Sequence, residues 1–485
     1  MKNTKLLFLL IPFLLLTGCE KSSGTKSSSK ESSITSSSET SGSESSSSEE
    51  PPRTEYTVEV DLGPSLRKED STKTGKYNLS FEFKNAYFDG SAKTFSKDLA
   101  LLSFGKTLFA DSEADMKRFY ETLEFDDIES YFVAEHTKDS LSYIFAHKRI
   151  NDYDLVSVCV GGLDYGREWA NNFELGRSGN HQGFEKRTLE VYGGLRSYLR
   201  KYENPKLWMS GYSRGGAIVN MLSHFIFSRE QIKISQDNMF TYTYECPKGL
   251  AIENKIAYEN VFNLVNSQDF IPYFAPEKEY GLCRCGVDVE IYRDDLADLI
   301  QAFDEDIVVP EFQCEDPENG SYATPVEFID YLMKTLTEPA PSEDDEESYI
   351  PTREDFSSKV EHAVQTALDI FFSIPDTVKY KIIADVKEQI ATNPLTFAMQ
   401  LLFEEYGIYD FIVPYLDEAG YKYTIPELKA DCEAIRLLAQ SKLVFILAFA
   451  ASESEVGNNL KRAVAMHYPE ICYLLINAYG NPIEE

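Results

Sequence analysis

The segment Gly211-Tyr212-Ser213-Arg214-Gly215, followed at once by Gly216, is the part of this sequence best suited to covalent chemistry. A G-x-S-x-G pattern puts serine on a tight turn between a strand and a helix. Its glycines, here Gly211 and Gly215, let neighbouring backbone come close, and the hydroxyl projects from the end of a sheet. At the helix N-terminus a backbone N–H can receive an oxyanion as it develops. With Gly and Ser each near ~7% of residues, a chain this long shows the pattern by chance about one time in six. The surroundings add weight. Apolar Leu207-Trp208-Met209 precedes the turn, and the small residues Gly215, Gly216 and Ala217 follow it.

A serine hydroxyl at neutral pH is a poor nucleophile and needs a base. The chain has six histidines: 136, 147, 181, 224, 362 and 467. Hydrolases of this elbow type run in the order Ser, Asp or Glu, then His, which leaves His224, His362 and His467. His224 lies on the helix straight after the elbow and His362 in an amphipathic helix of an acidic region. His467 stands just before the last helix, and chain order favours it. For the acid, Asp269 follows a strand-like Val261–Asn266 and precedes Pro272. An Asp just past a strand end faces the same rim as the elbow, where it can fix the imidazole tautomer. A plain turn or cap Asp would look the same.

The elements that must position these groups alternate in type. Strand patterns occur at 77–83, 140–147, 154–160, 206–210, 240–244 and 261–266. Helical patterns occur at 95–110, 111–123 (with Asp111 or Ser112 as N-cap), 183–200 and 216–228. Strands interleaved with helices predict an α/β fold with a mainly parallel sheet covered by helices. Beyond Cys285 the pattern turns helical, at 325–336, 357–373, 376–391, 394–406 and 426–451. The acidic run Glu338–Glu347 is expected to be a solvated loop. Leu443–Ala451 is strongly apolar but too short to span a bilayer and reads as a buried helix.

Composition sets the frame. Hydrophobic residues make up 43% and aromatics 13%, ample for a packed core. A formal net charge of −33 repels phosphate backbones, so no nucleic-acid partner is expected. The eight cysteines show no zinc spacing; Cys283-Arg284-Cys285 is a lone CxC, and Cys159 in an apolar run reads as a buried thiol. No EF-hand spacing is present, and the chemistry above needs no metal and no cofactor. The N-terminus carries Lys2 and Lys5, then apolar Leu6–Leu16, then Leu16-Thr17-Gly18-Cys19. This reads as an export signal ending in a bacterial lipobox. It implies lipidation of Cys19 and anchoring to the outer face of the cell membrane. Residues 20–55 are Ser-dominated and read as a disordered tether.

Several ordered motifs accompany the elbow. They are Val158-Cys159-Val160-Gly161-Gly162-Leu163, Trp169, His181-Gln182-Gly183-Phe184, Cys246-Pro247-Lys248-Gly249 and Asn266-Ser267-Gln268-Asp269-Phe270-Ile271-Pro272. Together they resemble the fungal-type (class 3) lipases across most of residues 80–285 and again at the C-terminus. The resemblance implies an α/β-hydrolase with a large helical insertion, or cap. It implies Ser213, Asp269 and His467 as a triad, with the backbone N–H groups of Arg214 and Leu163 as oxyanion donors. His181 would be a structural position of the family. Two departures stand out. The family usually has a hydroxyl residue where Leu163 stands, and usually Leu where Arg214 stands. The long Asp269-to-His467 distance implies a domain order of 56–289 hydrolase core, 290–455 helical insertion and 456–485 core again. The function so implied is hydrolysis of an ester or lipid through an acyl-enzyme on Ser213. The alternatives are a non-catalytic surface binding lipoprotein on the same fold, or a serine peptidase or amidase.

Overall fold

The central strands are made of residues that fit a sheet buried on both faces. Tyr153–Val160, Met239–Tyr244 and Val261–Val265 are buried at every position. Along Tyr153–Val160 the alternation of side chains splits the core. Val156, Val158 and Val160 join one apolar cluster, and Leu155 and Cys159 join the other. The Cys159 thiol is fully buried, as its apolar run predicts.

The computed structural model describes residues 55–61 and 76–480, apart from 111, 134–136, 163–166, 276, 319, 338–351, 394–395, 398–399, 401–406, 421–425, 427 and 431–453. The export signal with Cys19, nearly all of the Ser-rich tether, Asp111, His136, Leu163, Glu338–Glu347 and Leu443–Ala451 lie outside the described residues.

The strands are β1 (Glu55–Asp61), β2 (Lys76–Glu82), β3 (Asp126–Tyr131), β4 (Tyr143–Ile150), β5 (Tyr153–Val160), β6 (Pro205–Tyr212), β7 (Met239–Tyr244), β8 (Leu250–Ala251), β9 (Val261–Val265), β10 (Leu282–Cys283) and β11 (Val287–Glu290). Seven of them form one sheet in the order β11-β9-β7-β6-β5-β4-β3. From β5 to β11 neighbours are parallel. The β3 and β4 edge is antiparallel. β1 and β2 pair only with each other, so the strand read at 77–83 stands outside the main sheet. A tight turn at Asn151 and Asp152 between β4 and β5 permits only the antiparallel hairpin.

Helices cover both faces, as parallel strands require. On one face lie α1 (Lys97–Thr107), α2 (Glu113–Thr122) and the C-terminal helix Pro469–Ala478; on the other lie α3 (Gln182–Leu199) and α4 (Arg214–Ser228). Ser112 caps α2 through its side chain. This is a mainly parallel sheet flanked by helices, the α/β-hydrolase arrangement. After β11 the described chain is helical, at Leu296–Phe303, Pro325–Thr337, Glu361–Ser373, Asp376–Thr392, Gly407–Glu418 and Glu455–Ala465. Among the described residues no helix is long and apolar enough to cross a membrane.

Arg353 ties this helical stretch to the β5–α3 connection. Its guanidinium donates to the carbonyls of Leu175 (2.5 Å), Gly179 (3.1 Å), Asn180 (3.2 Å) and Tyr280 (3.1 Å). Ser357 accepts from the Gly176 N–H at 2.7 Å.

Candidate active site

Three adjacent strands end at the same rim. β6 delivers Ser213, β7 delivers Glu245, and β9 leads into the turn that holds Asp269. In an open α/β sheet this carboxyl edge is where ligands bind.

Ser213 takes φ 50° and ψ −122°, a left-handed conformation that costs a non-glycine residue free energy. The surrounding backbone enforces it. The Ser213 N–H donates to Tyr244 O at 2.8 Å, and its carbonyl accepts from Ala217 N at 3.0 Å. The glycines serve close approach here. A Cβ on Gly215 would sit 2.5 Å from Val160 O and 2.7 Å from Gly161 O. One on Gly211 would collide with the Gly215 carbonyl, and one on Gly162 with Tyr212 O. The turn after β5 and the elbow after β6 therefore interlock. Ser213 is the N-cap of α4, and Arg214 is that helix's first residue. The positive end of the helix dipole thus lies at the hydroxyl.

His467 sits in a short link between Glu455–Ala465 and Pro469–Ala478. Its N–H donates to Val464 O at 2.9 Å. Pro469 at the first position of the last helix ends any continuation from the helix before it. The Tyr212 hydroxyl donates to the His467 carbonyl, so the residue beside the serine also holds the histidine's backbone.

The side chains meet in one row. Ser213 Oγ lies 2.8 Å from His467 Nε2, and His467 Nδ1 lies 2.5 Å from Asp269 Oδ2. With the tautomer set by Asp269, Nδ1–H donates to the carboxylate and Nε2 is free to accept the serine proton. Asp269 is fully buried, while the His467 side chain is 20% exposed. Burial pulls the His467 imidazole down to about 4, so the ring is neutral at pH 7.

The Asp269 turn is held from several sides. Its N–H donates to Asn266 O at 3.0 Å, and its Oδ1 accepts from Ile271 N at 2.9 Å. Asn266 Nδ2 reaches Met466 O at 3.4 Å, and Arg462 Nη2 donates to Gln268 Oε1 at 2.7 Å. The acid turn and the histidine turn are thereby joined directly. Arg284 reaches the same region: its guanidinium donates to Pro272 O (2.5 Å) and Cys246 O (3.1 Å) and pairs with Asp288 at 2.7 Å. Burial drives the Asp269 carboxyl up, and the Ile271 N–H, the Glu245 carboxyl and Arg284 oppose that rise.

The other histidines have separate surroundings. His181 caps α3: its Nδ1 accepts from Phe184 N at 3.3 Å, and its Nε2–H donates to Asn172 O at 3.0 Å. Burial lowers it to about 3. His224 Nδ1 lies 3.3 Å from the Tyr258 hydroxyl. His147 bridges Asp126 and Asp154. His362 is an exposed residue of the helix Glu361–Ser373. The Arg214 guanidinium is buried and reaches Ser140 O at 3.3 Å, which turns it away from open solvent. Cys159, Cys246, Cys283, Cys285, Cys314 and Cys472 are thiols outside any disulfide. Among the described residues no group of three or more His, Cys, Asp or Glu side chains could hold a metal ion.

Sequence reasoning passed over Glu245, Tyr212 and Arg284. A charged residue directly after the apolar β7 was a usable signal for Glu245. Nothing local marked Arg284, whose partners lie on other turns.

Residues 167–279 match the family model of the class 3 lipases. That stretch contains the elbow, α4, Glu245 and Asp269. The match supports a lipase-type carboxylic-ester hydrolase. Solved structures with detectable similarity include a fungal lipase–inhibitor complex, at 17% identity over 40% of this chain and 80% of that one, with a TM-score of 0.33. The triacylglyceride lipase of Rhizomucor miehei gives 17% identity, 42% and 83% coverage, and a TM-score of 0.31. Lipase II of Rhizopus niveus gives 16%, 39% and 80%, and 0.31. No curated protein sequence matches the chain.

Proposed function

We propose that the protein is a serine ester hydrolase, a lipase or carboxylesterase, acting through an acyl-enzyme on Ser213. The supporting observation is the unbroken row Ser213 Oγ–His467 Nε2, His467 Nδ1–Asp269 Oδ2 at 2.8 and 2.5 Å. In this reading Ser213 Oγ attacks the ester carbonyl carbon while His467 Nε2 takes its proton. Asp269 steadies the imidazolium so formed. The carbonyl oxygen becomes an oxyanion received by the backbone N–H of Arg214, at the N-terminus of α4, with the N–H of Leu163, outside the described residues, proposed as second donor on the family resemblance. His467 then gives its proton to the leaving alkoxide as the carbon–oxygen bond breaks. Water, deprotonated by the same nitrogen, releases the carboxylic acid and restores Ser213. No metal or cofactor enters any step.

We further propose that Leu16-Thr17-Gly18-Cys19 directs export and lipidation of Cys19, so that the hydrolase stands on the outer face of a bacterial membrane. Its partners are then an ester or lipid substrate and the membrane, with no nucleic acid. Membrane fractionation of the full chain against Cys19→Ala tests this; equal membrane recovery would reject it.

The test of the activity is labelling of the protein with a fluorophosphonate probe beside Ser213→Ala, followed by p-nitrophenyl esters of increasing chain length. Labelling that vanishes in the variant is expected, and the panel then separates esterase from lipase. A folded protein that takes no label and turns over no ester would favour the binding-lipoprotein reading.

A further inference from the structure

Glu245 has no role in the mechanism above, yet the fold spends a good deal to place it. It is fully buried and takes φ +46°, a conformation that favours glycine. Its N–H donates to Leu264 O at 3.0 Å, which keeps the chain turning inward after β7. β7 lies between β6 and β9, so Glu245 stands between the strand that delivers the serine and the strand that delivers the acid.

Its carboxyl oxygens accept from the Asn266 N–H at 3.0 and 3.2 Å. The Asn266 peptide joins the two acids: its N–H serves Glu245 while its carbonyl accepts from the Asp269 N–H at 3.0 Å, which sets the two buried carboxyls beside each other. Two carboxylates are both acceptors and cannot bond to each other without a proton between them. Asp269 already accepts from His467 Nδ1 and Ile271 N, and Arg284 faces it. Glu245, by contrast, accepts from the Asn266 backbone N–H with the Cys472 thiol beside it, both neutral donors. Burial, reinforced by the neighbouring Asp269 charge, pushes the Glu245 carboxyl well above the usual carboxylate range. Burial pushes both carboxyls up, and two adjacent buried carboxyls cannot both ionise; Asp269, facing the His467 Nδ1–H and the Ile271 N–H, is the better-stabilised anion, which leaves the proton to Glu245.

We propose that Glu245 is a protonated positioning residue, whose O–H donates to Asp269 and holds that carboxylate ionised and aimed at His467 Nδ1. This rests on the triad reading of Ser213, His467 and Asp269. The arrangement adds one donor to Asp269 without adding a second negative charge beside the base. An ionised Glu245 would instead raise the imidazole's proton affinity. The other titratable or charged groups around Glu245 are Tyr212 from β6, Asp269 and Tyr273 from the acid turn, His467, Glu470 and Cys472 from the C-terminal segment, Cys246 beside it, and Arg284 with Asp288 behind the turn.

Two variants and one spectrum test the idea. Glu245→Ala removes the donor; kcat on a p-nitrophenyl ester is expected to fall about 10- to 100-fold, with KM little changed. Glu245→Gln keeps an N–H for Asp269 and a carbonyl for Asn266, and is expected to recover most of that loss. Its acid limb of kcat/KM is expected to stay within about 0.3 pH unit of wild type, because a neutral group replaces a neutral group. An acid limb that moves down by about a unit in Glu245→Gln would mean that Glu245 is ionised, and would overturn the proposal. Equal kcat in Glu245→Ala and wild type would remove the positioning role. Independently of turnover, infrared spectra at pH 7 should show the C=O stretch of a buried carboxylic acid in wild type that is lost in Glu245→Gln. Its absence from wild type would also overturn the proposal. If no ester is cleaved but the band is present, the triad reading has failed while the shared proton stands.

Discussion

Replacing Asp269 by Asn tests the core of the mechanism at the atom that sets the tautomer. Asp269 is fully buried and lies 2.5 Å from His467 Nδ1. In the proposed mechanism the imidazole becomes a cation beside that carboxylate as Ser213 attacks. At ~4 Å and an effective dielectric constant near 20, the pair gains about 4 kcal/mol. Every 1.36 kcal/mol is a factor of ten in rate, so losing the charge alone costs about 1,000-fold in kcat. The tautomer makes this a lower bound. An amide NH2 facing Nδ1 makes that nitrogen the acceptor and moves the ring proton to Nε2, which can then no longer receive the serine proton. The assay is steady-state kcat on a p-nitrophenyl ester together with the rate of fluorophosphonate labelling, at pH 7 and with the melting temperature checked. Both rates should fall by about three orders of magnitude while KM changes little. A folded Asp269→Asn enzyme that keeps more than about a tenth of wild-type kcat would contradict this mechanism, because a loss of about 4 kcal/mol from the transition state leaves far less activity than that.

Four further outcomes are expected. His467→Ala should abolish fluorophosphonate labelling and His362→Ala should leave it intact; the reverse would move the base to His362. In the proposed mechanism a neutral imidazole is the base, and burial holds its pKa at about 4; kcat/KM should therefore stay level as pH falls from 7 and be lost through about pH 4, and a midpoint near 6.5 would show the ring to be less desolvated than the structure implies. Gly215→Ala places a Cβ against the carbonyls of Val160 and Gly161 at 2.5 and 2.7 Å, so it should cost about 1–3 kcal/mol of stability by denaturant titration and impair turnover; an unchanged protein would show that the elbow can open. Lys106 is fully buried, held by Ser157, Val158 and Trp208, and lowered to about 7 by burial. Its folded pKa lies below its unfolded one, so the unfolded chain binds the extra proton between pH 7 and about 10. Stability should rise with pH across that window by up to about 1.4 kcal/mol per unit, and Lys106→Met should lack that slope.

Much of the site was legible because its signals are local. A glycine on each side of Ser213 is demanded by the backbone that crowds the elbow, and the apolar run before it and small residues after it mark strand and helix. The interleaving of strand and helix patterns revealed the parallel core, because parallel neighbours need a crossover connection, usually a helix. Asp269 announced itself by standing past a strand end before a proline. The helix read at 183–200 runs from Gln182 to Leu199, with His181 as its N-cap. β3, with its exposed and half-exposed side chains, carries no hydrophobic period and gave no sign in the sequence.

Tertiary structure decided what depends on residues far apart in the chain. The choice among three histidines came from chain order and the family resemblance; the 2.8 Å approach of His467 to Ser213 joins positions 254 residues apart. Nothing beside Arg214 in the sequence marks the Ser140 carbonyl, 74 residues away, which its guanidinium reaches in the fold. In sequence Glu245 stands out only as a charge directly after an apolar strand. Only the left-handed turn after β7 and the burial of Asp269 beside it bring two carboxyls together. A sequence encodes which backbone each residue prefers locally, but a pairing of two acids exists only when the fold has removed the water that would otherwise keep them apart.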